Sequence, residues 1–179
     1  MKSTDINISP DEFEQQVKSW IEAAAETPVT FEVVHKEMVP GDGGEYEIDV
    51  VVRFSHFGGA EFTVLVECKR HKNAIKRELV MVLESKLRDT KAQKGMLFST
   101  SNFQSGAIKF ADKHNIALIQ VASESTHYLT RSQPGIASLD HGNWGYVGWL
   151  HKAADVNYKR TVVSTSETDA LRNWLASNG

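Results

Sequence analysis

Cysteine is nearly absent from this 179-residue chain, in which Cys68 stands alone. A single thiol excludes an intramolecular disulfide framework and a cysteine-rich zinc site, and makes a reducing, cytoplasmic setting the default expectation. The seven histidines show no ligand spacing such as HxxxH, so no zinc motif is read from them. Long apolar runs are missing too. No stretch approaches the roughly eighteen apolar residues that a membrane-spanning helix needs. The polar opening MKSTDINISPDEF has no signal-peptide core, so no secretory leader is expected.

Positive charge is in short supply overall, and a net charge of -3 argues at first against a polyanionic partner. Its distribution weakens that argument. Residues 69–94 hold nine Lys/Arg against three acids, a segment of +6 that leaves -9 for the remainder. A local field of that sign steers a polyanion better than the net charge suggests. A solvated helix with ordinary surface lysines explains the same run. With 41% hydrophobic and 24% charged residues, the composition is that of an ordinary globular domain, and no repeat or low-complexity linker divides it.

Ser9-Pro10-Asp11-Glu12 combines an N-cap Ser, a Pro at the first helical position and a Glu three residues after the cap. Phe13, Val17, Trp20, Ile21 and Ala24 continue it as an amphipathic helix to about Ala25. Strands are predicted over 29–37, 45–54 and 62–70, the last two joined as a hairpin across Gly58-Gly59. A helix over 75–93 with Leu79, Val82, Leu83 and Leu87 inward follows, then a strand over 95–100. A helix over 104–115 carries Ala107, Ile108 and Ala111 inward, and a strand spans 116–121. This order predicts an α/β fold, a central mixed β-sheet flanked by helices on both faces. Further on, 143–150 and 161–164 read as strands and 168–177 as a helix. Trp144, Tyr146 and Trp149 suit a core or interface better than base stacking.

The chemistry-bearing residues lie in the hairpin. Asp49 interrupts the apolar strand Ile48 to Val52, and Glu67 and Lys69 interrupt Val64 to Lys69. Ionised groups in such strands are costly unless paired or metal-bound. A hairpin pivoting on Gly58 sets Asp49 opposite Glu67, their Cβ atoms roughly 5 Å apart, with Glu67 and Lys69 on one face and Cys68 on the other. Two carboxylates that close repel each other, and a hard divalent cation relieves the repulsion. A neighbouring ammonium then suits a water or a phosphate. A structural Asp–Lys or Glu–Lys ion pair accounts for the same placement. Glu14 lies at the edge of the first helix's apolar face; its own context makes it solvent-facing, with a reach toward the sheet left open. Cys68 reads as a core residue.

These residues carry a family resemblance. Asp49 followed by Glu67-Cys68-Lys69 resembles the D…(D/E)xK signature of the restriction-endonuclease-like nucleases, and more closely that of Mrr-like restriction endonuclease domains. The helix segment Phe13 to Val17, the turn Gly41-Asp42-Gly43-Gly44, the string Val66 to Lys72, the strand–turn–helix from Gly95 and the strand Ile116 to Ile119 are similar to that family in order and spacing. The resemblance covers about residues 10–122, so residues 1–122 are assigned to the nuclease domain and 123–179 to a C-terminal extension. It implies phosphodiester hydrolysis dependent on Mg2+ or Mn2+, most naturally in DNA and in a defence setting. Asp49 and Glu67 are then metal ligands, Glu14 an auxiliary ligand, and Lys69 the residue that positions or activates water. Arg70, His71, Lys72, Lys76 and Ser101 become candidate nucleic-acid contacts. Ile48 stands where the PD form has proline, Glu67 where many Mrr-like members have Gln, and no separate recognition domain is evident. A homodimer and a targeting or regulatory protein partner are therefore expected. The alternative is a catalytically silent module that binds nucleic acid or a protein.

Overall fold

The computed structural model describes residues 8–23, 31–56, 60–123, 146–152, 159–163 and 169–176. The predicted element ends at 24–25, 29–30, 143–145, 164, 168 and 177 lie outside them, as does Trp144.

Helix α1 (Pro10–Ala23) starts on the capping box that its sequence predicts. The Ser9 N–H donates to Glu12 Oε2 (2.9 Å), and the Glu12 N–H donates to Ser9 Oγ (3.2 Å), satisfying two of the donors left over at a helix start. Strands β1 (Phe31–Gly41), β2 (Gly44–His56) and β3 (Ala60–Lys69) follow. Then come α2 (Arg77–Thr90), β4 (Lys94–Ser99), α3 (Ser105–Lys113) and β5 (Ile116–Ser123). Strands β6 (Tyr146–Lys152) and β7 (Lys159–Val163) and helix α4 (Asp169–Ala176) complete the order.

The strands form one seven-stranded sheet in chain order, β1 through β7. It is mixed: β3–β4 and β4–β5 are parallel and the other neighbours antiparallel. Both faces are covered, which is why the middle strands read as continuous apolar runs rather than alternating ones. On one face α1 and α4 bury Phe13, Val17, Trp20, Leu171 and Leu175 against Val50, Val64, Val66, Phe98 and Ile119. On the other, α2 and α3 bury Val80, Leu83, Leu87, Ala107, Ile108 and Ala111 against Val51, Leu65, Leu97 and Leu118. Among the described residues no helix is long and apolar enough to cross a membrane.

Two local expectations are corrected. Strand β1 runs past Glu37 to Gly41, because Met38, Val39 and Pro40 pair with Glu47, Tyr46 and Glu45. Pro40 is tolerated because β1 is an edge strand. In α2 the buried stripe is Val80, Leu83 and Leu87, while Val82 is 55% exposed. The helix starts at Arg77 instead of Ile75, since Ile75 is held extended by a parallel bridge to Phe103.

The segment beyond Ala122 shares this sheet and core through β6, β7 and α4. Buried Lys94 of β4 ties it down, donating from Nζ to the carbonyls of Trp174 (2.7 Å) and Leu175 (2.9 Å) at the end of α4. A cation there satisfies leftover carbonyls and meets the negative end of the helix dipole.

Helix α1 docks chiefly through large fully buried rings, with Trp20 and Phe98 centroids 6.2 Å apart. Trp20→Ala is expected to cost about 3–5 kcal/mol, read as a lower urea midpoint at unchanged slope. A loss below ~1 kcal/mol would contradict the docking described here.

Candidate active site

The ladder between β2 and β3 ends at Val50↔Val66, one step before Asp49 meets Glu67. The register is the one that a hairpin centred on Gly58 predicts. At this step β2 departs from regular alternation. Ile48 belongs to the α2/α3 core and Val50, two residues on, to the α1/α4 core. Lys36, in register across from Asp49 on β1, has a left-handed backbone with φ 51°. That conformation is costly for a residue with a Cβ and persists only when its surroundings demand it. At the kink the Asp49 carboxylate turns toward β3 and accepts the Cys68 N–H at 2.6 Å, standing in for a strand carbonyl.

Asp49 is half-buried. Burial raises its pKa above the usual carboxylate value, Glu67 and Glu14 push the same way, and the Cys68 N–H and the Lys69 ammonium oppose them. Asp49 of β2 therefore feels both Glu67 of β3 and Glu14 of α1. Glu67 is buried and points to the α2 side. Its Oε2 accepts from Lys69 Nζ and its Oε1 from Lys86 Nζ, both at 2.5 Å. Burial works against a charged Lys69, but the hydrogen bond to Glu67 and the attraction of Glu67 and Asp49 outweigh it and hold its pKa up. Lys69 is thus kept as a cation.

Glu14 is buried, against the solvent-facing position that its sequence context favours. His35 of β1 holds it. With the Gln15 amide donating to His35 Nδ1 (2.8 Å), the remaining ring N–H is at Nε2 and donates to Glu14 Oε2 (2.7 Å). Asp11, Glu14 and His35 have ligand atoms within 4.8 Å of one another. Lys36 already sits on this group, 2.7 Å from Asp11 Oδ1 and 3.5 Å from Glu14 Oε2.

Cys68 packs against the α1/α4 core. Burial, then Asp49, Glu14 and Glu67, push its thiol pKa well above the ordinary value, leaving no reactive thiolate.

After Lys69 the chain leaves the sheet, and Arg70, His71, Lys72 and Lys76 are all exposed. Their backbone is laced to the segment after β4. The Thr100 N–H donates to Lys69 O (3.2 Å), the Ile75 N–H to Asn102 O (2.8 Å) and the Gln104 N–H to Ile75 O (2.9 Å). Ser101 is not a surface contact: it is 2% exposed, and its hydroxyl donates to Asn73 O at 2.7 Å. Nor does it cap α3, which begins four residues later with Gln104 at the cap. Its work is to fix the basic loop.

The turn before Asp49 is also clamped. Asp89 of α2 accepts the Gly43 N–H (3.0 Å) and the Tyr46 hydroxyl (2.6 Å). A Cβ at Gly41 would lie 2.5 Å from Asp89 Oδ2, so any other residue there would push the Asp89 carboxylate out of this clamp.

Lys86 and His35 are the site residues that sequence reading missed. Lys86 is one more lysine in a basic helix, and only the packing of α2 brings it to Glu67. His35 carried a faint signal as the single ring nitrogen pair in the predicted strand Val33-Val34-His35.

The donor set fits a hard divalent cation. The candidates Asp49, Glu67 and Glu14 are all carboxylates with no soft ligand among them, and burial first, then Glu67 and Glu14, raise the pKa of Asp49, which a cation would offset.

The family of restriction endonuclease domains designated Mrr_cat matches residues 6–123, about two-thirds of the sequence. The chain belongs to that family. Its mixed sheet with helices on both faces is the restriction-endonuclease-like fold, here with β6, β7 and α4 added beyond the matched region. Similar solved structures include a protein of unknown function, AF1548, at 24% identity and a TM-score of 0.48 over 59% of this chain and 56% of that one. MspJI restriction endonuclease in complex with a 27-mer oligonucleotide matches at 18% identity and a TM-score of 0.43, over 59% of this chain and 24% of its own. The DNA modification-dependent restriction endonuclease AspBHI matches at 20% and 0.43, over 59% and 27%. The matched part is thus about half of AF1548 and about a quarter of the two endonucleases. No curated protein matches the chain.

A carboxyl whose folded-state pKa is raised lowers stability above that pKa and ceases to do so below its unfolded value of 3.8. Asp49→Asn keeps an acceptor for the Cys68 N–H. In chelator it is expected to melt above the wild type near pH 7.5, with the gain shrinking as pH falls toward ~4. Thermal melts across that range check it, and a variant less stable near pH 7.5 would overturn the burial argument.

Proposed function

We propose that this Mrr-like domain is a metal-dependent endonuclease that hydrolyses phosphodiester bonds in DNA, in a cytoplasmic defence setting. One observation carries the reading. At the end of β3 the Lys69 ammonium is held charged by Glu67 and Asp49, and an exposed basic loop begins there.

Asp49, Glu67 and Glu14 are the residues that would hold Mg2+ or Mn2+. When bound, such an ion supplies a Lewis acid for the scissile phosphate and makes water a better nucleophile. The chain's own residues do the rest. Asp49 is anchored through one oxygen by the Cys68 N–H, and its second oxygen would serve the ion. The Lys69 ammonium donates to a water or to a phosphate oxygen and offsets charge as the P–O bond breaks. His35 fixes the rotamer of Glu14. Arg70, His71, Lys72 and Lys76 meet backbone phosphates, which fixes register without reading sequence. One such centre faces one strand, so cutting a duplex through calls for a homodimer, and target choice for a protein partner. The competing reading, a silent module, draws on the pairing of Glu67 with two lysines, which a purely structural ion network would also have.

The purified chain, offered duplex DNA, single-stranded DNA and RNA with Mg2+, Mn2+ or EDTA, is expected to cut DNA only with metal. Asp49→Ala, Glu67→Ala and Lys69→Ala should each lower the rate by roughly a hundredfold or more. No cleavage with any metal, or variants as active as the wild type, would sink the nuclease reading. For binding, Arg70→Ala, Lys72→Ala and Lys76→Ala should each lower the slope of log K against log salt by about 1, measured with duplex in EDTA. Unchanged slopes would remove the basic loop from the interface.

A further inference from the structure

Each Glu67 oxygen already holds a lysine ammonium. Lys69 takes Oε2 and Lys86 takes Oε1, so a cation binding directly to this carboxylate competes with two positive charges already in contact with it. The lysines are not equivalent. Lys69 lies two residues along the same strand and is drawn to Asp49 as well as Glu67. Lys86 reaches in from α2, which is held by the buried side chains Val80, Leu83 and Leu87 and by Asp89 on the β1–β2 turn. The helix cannot shift to release Lys86, but its four-carbon stem can swing. The Tyr46 ring already lies beside the ammonium, its centroid 5.9 Å from Lys86 Nζ, a cation–π partner that remains when the bond to Glu67 is given up. Tyr46 is itself fixed, its hydroxyl bound to Asp89 at 2.6 Å.

The charge balance points the same way. Asp49 and Glu67 are matched by Lys69 and Lys86, and with Glu14 counted the three carboxylates exceed the two lysines by one, so the metal-free centre keeps little net charge. This explains how Glu67 can be buried before any ion is present.

Resting on the reading of Glu67 as a metal ligand, we propose that Lys86 is a built-in counter-ion. It occupies Glu67 Oε1 in the metal-free protein and yields that oxygen to the divalent cation. Lys86 is then a positioning residue that sets metal affinity. The released ammonium stays at the site's edge on the side of Tyr46, adding a positive charge where a phosphate arrives. Loading the metal therefore adds positive charge to a centre that carries little, and makes it one that attracts DNA.

The test needs no substrate. Mn2+ binding to the full chain is measured from the free-Mn2+ electron paramagnetic resonance signal for the wild type, Lys86→Met, Lys86→Arg, Glu67→Gln and Lys91→Met. Lys86→Met keeps the apolar stem and removes the competitor, and its Kd should fall roughly tenfold. Lys86→Arg retains the charge and should bind no tighter than the wild type. Lys91→Met removes a charge from the same segment, paired instead with Asp42, and should leave the Kd unchanged. Circular dichroism monitors folding, and Lys86→Gln replaces Lys86→Met if the latter is unfolded. The proposal is overturned if Glu67→Gln loses Mn2+ while removal of the Lys86 charge leaves the Kd the same or higher, or if Lys91→Met tightens binding as much. If Glu67→Gln binds Mn2+ as the wild type does, the ligand reading fails first and the counter-ion role falls with it.

Discussion

A β-strand buried on both faces has no room for a charge, and this sheet is buried on both faces along its middle. Asp49 solves the problem at the point where the β2–β3 ladder ends, by spending one carboxylate oxygen on the Cys68 N–H. That hydrogen bond does two things at once. It satisfies a backbone donor as the strands part, and it leaves the other oxygen of Asp49 uncommitted to that donor. The kink at Asp49, the left-handed Lys36 across from it and the approach of Glu14 from α1 all belong to this one departure from regular pairing.

The electrostatics follow from the same geometry. Carboxylates gathered at the end of a buried sheet need cations nearby, and the basic segment provides them in two ways. Some of its lysines point inward: Lys69 and Lys86 on Glu67, and Lys94 on the carbonyls of α4. Others, Arg70, Lys72 and Lys76, stay outside on a loop held by hydrogen bonds to the segment after β4. A net charge of -3 therefore conceals a division of labour between neutralising the interior and presenting positive charge at the rim.

Features encoded over a few residues were legible in the sequence. The Ser9–Glu12 box, the inward stripe of α3 and the hairpin register can all be read from local spacing, because neighbouring residues alone decide them. Features that depend on what an element packs against were not. Val80 displaces Val82 in the stripe of α2 because a bridge at Ile75 delays the start of the helix. Lys86 and His35 acquire roles only once α2 and β1 are docked. Ser101 sits near the proposed site yet turns inward, since Asn73 offers it a carbonyl. Glu14 lies between these two cases. Its position at the edge of an apolar face fits either exposure or burial, and a partner on another strand decided between them.

The strand order of the sheet is the order of the chain. Each new strand thus pairs with the one made just before it, so no pairing has to wait for a distant segment. Such a sheet can assemble as the chain emerges, each strand closing a short loop on an edge already present. Lys94 is the exception among these ties, because its carbonyl partners lie 80 and 81 residues later in α4. On this route the buried ammonium of β4 is left exposed, facing open water, until the last helix is made. Docking of that helix is what seals the sheet.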